Sequence, residues 1–146
     1  MSPTTMPQST TPVVGFDVDT VSSTTDVFRA TVAADPNRPL VAKPEGDGWS
    51  EITAGQFLEE VRAAAKGLIA LGVEVGDRIA IFGPTSYEWT LSDYAVWYAG
   101  GISVPFYDTS SEEQLAWMIK DAKVTRGLVS TREHADAFTA AAAAAG

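Results

Sequence analysis

Three times between Asp77 and Ala145 a short apolar run gives way to a longer stretch of helix-forming residues. Arg78 to Phe82 is followed by Ser86 to Ala99, Ile102 to Phe106 by a stretch through Ala122, and Arg126 to Ser130 by Thr131 to Ala145. Alternation of this kind selects a parallel sheet with right-handed crossovers, because a parallel neighbour can only be reached by a long return connection. The strands show little polar alternation, as expected when helices cover both faces of the sheet. The expected fold class is therefore α/β, a parallel sheet with helices on both faces.

The breaks are chemically marked. Gly83-Pro84 ends the first run and Gly100-Gly101 ends the helix after it. Thr53 with Gln56, Thr85 with Glu88 and Ser111 with Gln114 have the spacing of capping boxes, each cap worth about 1 kcal/mol. The middle helix carries Tyr87, Trp89, Leu91, Tyr94, Val96, Trp97 and Tyr98 around most of its surface. Such a helix belongs between layers. Leu115, Trp117, Met118 and Ile119 are expected inside the next one, with Trp89, Trp97 and Trp117 as core anchors.

Upstream, Ser23 to Ala34 reads as a first helix ended by Asp35-Pro36. Leu40 to Lys43 and Trp49 to Ile52 read as a hairpin around Gly46-Asp47-Gly48, with a turn of four or five residues. Phe57, Leu58, Val61, Ala64, Ala65, Leu68, Ile69 and Leu71 follow helical spacing, and Gly72 supplies a left-handed stop. Glu59, Glu60, Arg62 and Lys66 are assigned to solvent. Residues 1–22 are rich in Ser, Thr and Pro and read as a flexible lead with a short strand at Val13 to Asp17. Residues 23–146 form the folded part.

Charge and residue types remove whole classes of function. Nineteen acidic against ten basic residues give a net charge of −9, which repels phosphate backbones and anionic lipid as a whole. A nucleic-acid partner and a peripheral-membrane role are accordingly not expected. Cysteine is absent, so disulfides, thiolate metal sites and a Cys nucleophile are excluded, and His134 is the single imidazole. No apolar run approaches the roughly 20 residues of a membrane span. Met1 to Pro12 has neither the basic nor the apolar part of a secretory signal, leaving a cytoplasmic location as the expectation.

Few residues suggest chemistry. Phe82 to Ser86 leads from a strand to a helix N-terminus, a geometry that suits anions, but no glycine-rich phosphate motif is present and a cap there uses some of the free donors. Tyr107 to Ser111 lies where open α/β sheets place ligands, so Tyr107 or Thr109 could line a crevice. Local hydrogen bonding and a Ser111 cap explain the same hydroxyls and are favoured. Glu112-Glu113 and Glu59-Glu60 point about 100° apart on a helix and are read as solvated faces. His134, beside Arg132 and Glu133, is read as a surface residue with no triad around it.

Several segments in order resemble the adenylate-forming, AMP-binding enzymes. They are Trp49-Ser50-Glu51-Ile52-Thr53, Phe57 through Gly72, Val75 to Ala80, Tyr87-Glu88-Trp89 and Ala99 to Ile102. The likeness covers roughly residues 24 to 131. Pro105 to Ser111 resembles the Pro-x-Tyr-Glu/Asp-Thr-Ser-Ser turn of long-chain fatty acid–CoA ligases, with Phe106, Asp108 and Pro84-Thr85 departing mildly from commoner residues. The resemblance implies the conversion of a long-chain fatty acid, ATP and CoA to acyl-CoA, AMP and pyrophosphate with Mg²⁺. The family's phosphate loop, adenine-binding aromatics, Mg²⁺ ligand and catalytic Lys have no counterpart before Gly146. No catalytic, cofactor-binding or metal residue is carried over. The span is thus expected to be a fragment, inactive alone and poorly soluble, whose uncovered edge leaves room for a homo-oligomer. A flavodoxin- or receiver-like binding module and a non-catalytic partner of a full-length ligase are the alternatives. The first would need an acidic cluster or phosphate loop that Phe82-Gly83-Pro84 does not offer.

Overall fold

The computed structural model describes residues 23–146. In chain order the elements are α1 (Thr24–Ala34), β1 (Pro39–Glu45), β2 (Gly48–Thr53), α2 (Ala54–Ala70) and β3 (Arg78–Phe82). Then come α3 (Tyr87–Tyr98), β4 (Ile102–Phe106), α4 (Glu112–Asp121), β5 (Arg126–Val129) and α5 (Arg132–Ala145). The expected strand Val13 to Asp17 and the lead around it lie outside the described residues.

The last three strands form one parallel sheet of order β4-β3-β5, with Arg78 opposite Ile102 and Ile79 opposite Arg126. Because β3 is central and covered twice, Ile79, Ala80, Ile81 and Phe82 are all buried. Successive residues point to opposite faces. Ile79 packs with Ala65 and Leu68 of α2 and with Ala95 and Val96 of α3. Ala80 and Phe82 pack with Leu115 and Ile119 of α4 and Ala141 and Ala145 of α5. Each fully buried large aliphatic side chain contributes about 2 kcal/mol.

A third core ties the amino-terminal part to this layer. Phe28 of α1, Ile52 of β2 and Phe57, Leu58 and Val61 of α2 meet Tyr87, Leu91, Tyr94 and Tyr98 of α3. Phe57 stands edge-on to Phe28 at 5.6 Å and to Tyr94 at 5.4 Å, the favoured arrangement of aromatic pairs. The β1–β2 hairpin is pinned over it: Lys43 Nζ lies 5.0 Å from the Tyr87 ring centre, and the Tyr87 hydroxyl donates to Glu60 at 2.8 Å. At the amino end of the sheet, Arg126 Nη1 meets Asp77 at 3.0 Å and Nη2 donates to the Gly72 carbonyl at 3.0 Å.

The caps of α2 and α4 are capping boxes as expected, and Gly72 adopts the left-handed stop with φ of 82°. Other details differ. The hairpin turn has two residues, since Glu45 pairs directly with Gly48, and Gly46 takes its positive φ. The cap of α3 is Ser86, accepting from the Trp89 N–H, not Thr85. Ile69 (53% exposed) and Leu71 (74%) project from the end of α2, past the edge of the layer it covers. Trp117 is 65% exposed, because Leu115 and Ile119 take the buried side of α4. The aromatic α3 buries only Ala95 and Val96 fully, and its rings are shared out between two cores. No helix among the described residues is long and apolar enough to cross a membrane.

Two stability measurements follow from this packing. Phe57→Ala removes the ring that joins α1, α2 and α3 and should cost about 3–5 kcal/mol in urea unfolding. Burial lifts the Asp93 carboxyl above the ordinary carboxylate range, while a hydrogen bond with Ser103 draws it partway back. One of its oxygens has no partner. The folded state therefore holds this proton more tightly than the unfolded state does. Its contribution to stability is complete in acid below the unfolded value and is lost as pH rises through the folded value. Asp93→Asn should raise Tm at neutral pH and leave it unchanged in acid; an equal shift at every pH would contradict the burial argument.

Candidate functional site

Helix α3 packs with α2 on one face of the sheet, whereas α4 packs with α5 on the other. The connection leaving β3 (residues 83–86) and the one leaving β4 (residues 107–111) therefore depart to opposite sides. Adjacent strands whose connections diverge leave a crevice at their carboxyl ends, the usual ligand position in an open parallel sheet. That crevice exists here as a cleft of about 520 Å³ between Gly83, Pro84, Thr85 and Trp89 on one side and Phe106, Tyr107 and Asp108 on the other.

Local chemistry sets both walls. Pro84 cannot extend β3, and Ser86 caps α3, which leaves the Thr85 hydroxyl at the cleft. On the facing wall the Ser110 N–H closes a turn on the Tyr107 carbonyl at 3.0 Å, and Ser111 caps α4. Tyr107 is left 82% exposed. Beyond it a shallow groove of about 540 Å³ runs along α4 past Thr109, Gln114, Trp117 and Met118. Of the sequence candidates, Ser111 serves the backbone, whereas Tyr107 and Thr109 line open surfaces. Glu112 and Glu113 are exposed, Glu59 pairs with Arg62, and Glu60 receives the Tyr87 hydroxyl.

His134 stays half-exposed at the surface, but it is held by contacts that its polar run does not suggest. Its Nδ1 lies 3.0 Å from Ser130 Oγ and 2.8 Å from Thr131 Oγ1, and its ring stands edge-on to Phe82 at 4.6 Å. The signal that could have found it is its position three residues after the cap of a helix that follows a strand's carboxyl end. Ser130 closes the β3–β5 side of the sheet: its N–H donates to the Phe82 carbonyl at 3.2 Å, and its side chain sits over Gly83. The crevice is thus open on the β4 side alone.

The cleft offers hydroxyls, one carboxylate, three aromatic rings and the amino end of α3. Neither Lys nor Arg lines it, and no group of three His, Cys, Asp or Glu among the described residues could hold a metal ion. A triphosphate with its Mg²⁺ does not fit these residues, so no catalytic step is derived through them. The arrangement forms one wall of a binding surface.

Gly83 has φ of 153°, and a Cβ there would run into Ser130 Oγ and Cβ. Gly83→Ala should destabilise by about 2–3 kcal/mol in urea unfolding, and adding Ser130→Gly should recover the steric part but not the backbone part.

The match to known proteins follows the same span. Residues 28–145 match the family model described as AMP-binding enzyme. The chain is 39% identical over 101 residues to the long-chain-fatty-acid–CoA ligase FadD15 of Mycobacterium tuberculosis, covering 69% of this chain and 17% of that protein. It is 36% identical over 104 residues to human long-chain-fatty-acid–CoA ligase ACSBG2, covering 71% and 16%. Among solved structures, a putative long-chain-fatty-acid CoA ligase from Rhodopseudomonas palustris superposes with TM-score 0.71 at 26% identity, over 83% of this chain and 30% of that one. A fatty acyl-adenylate ligase from Legionella pneumophila, 24% identical, shares the fold with TM-score 0.65 over 77% of this chain and 20% of its own. The chain spans about a sixth of the length of these curated relatives. By sequence along nearly its whole folded length and by the parallel sheet it builds, this chain belongs to the AMP-binding enzyme family.

Proposed function

We propose that this chain is the amino-terminal part of an ATP-dependent long-chain fatty acid–CoA ligase. The reaction is that of the whole protein: the fatty acid carboxylate attacks the α-phosphorus of ATP and releases pyrophosphate. The CoA thiol then displaces AMP from the acyl-adenylate. Adenylation replaces a poor leaving group with a good one, and cations and donors must hold the developing phosphate charge. ATP, Mg²⁺ and CoA are accordingly cofactor and substrates of the complete enzyme, and no residue of this span is assigned a catalytic role.

The observation that carries the reading is the Tyr107 to Ser111 turn. It has the hydroxyl-rich sequence of the long-chain branch and forms one wall of the crevice at the switch point of the sheet. In this reading the span contributes a preformed wall, and the nucleotide chemistry is supplied by sequence it does not contain. A flavodoxin-like module is disfavoured because the cleft has neither an acidic cluster nor a phosphate loop.

Pyrophosphate–ATP exchange with a long-chain fatty acid tests the proposal in two arms. The 146-residue chain alone should exchange no more than a blank. A chimera in which it replaces the matching segment of Mycobacterium tuberculosis FadD15 should exchange with long-chain and not short-chain acids. Strong exchange by the chain alone, or a folded chimera without exchange, refutes the assignment.

A further inference from the structure

We draw no further inference here: the strongest candidate, the shallow groove along α4 past Tyr107, Trp117 and Met118 at the carboxyl end of the sheet, is an exposed aromatic face, and nothing in the structure shows what covers it.

Discussion

Strand β3 is buried on both faces, and most of the remaining architecture follows from that condition. Ile79 needs a cover on one side, and Ala80 and Phe82 need one on the other, so a single layer of helices cannot satisfy it. Helices α2 and α3 supply the first cover, α4 and α5 the second. The chain can deliver them only by leaving β3 and β4 in opposite directions. The crevice at the carboxyl ends is the geometric consequence of that divergence. Burial of the central strand and creation of the candidate site are thus one event.

The amino-terminal third is attached by a different device. A two-stranded hairpin is marginal by itself in water. Here it is held by the aromatic cluster of Phe28, Phe57, Tyr87 and Tyr94, and by the Lys43–Tyr87–Glu60 chain of contacts. Tyr87 is shared between hairpin, α2 and α3, and burial together with the Glu60 carboxylate pushes its hydroxyl pKa up. The phenol therefore remains a neutral donor across the physiological range. Helix α3 has apolar residues around most of its circumference because it borders two cores.

The two ends of the sheet differ in chemistry. The carboxyl end presents hydroxyls, a carboxylate and aromatic rings around a cleft without cations. The amino end presents the exposed aliphatic side chains of Leu71, Val75 and Ile102. A parallel sheet makes such a division natural, since all connections into strands gather at one end and all connections out of them at the other. The family contributes its substrate classes to the proposal, whereas the asymmetry is a property of this surface.

Much of the fold was legible in the sequence because its signals are local. The strand–helix alternation, the Thr53–Gln56 and Ser111–Gln114 boxes and the Gly72 stop depend on residues within a few positions of one another. The α/β class and its parallel sheet followed from them. What escaped depended on neighbours distant in the chain. Trp117 has the apolar character of a core anchor, but the side of α4 that faces the sheet is already filled by Leu115 and Ile119. His134 sits in a polar run, yet strand order brings Phe82 beneath its ring. Thr85 and Ser86 are both adequate caps, and only the path of the chain after Pro84 selects Ser86. By itself, then, the sequence determined the elements and their class, since helix and strand signals are short-ranged. The tertiary structure alone decided which side chains are left facing the crevice and the opposite end, since exposure depends on how the layers cover one another.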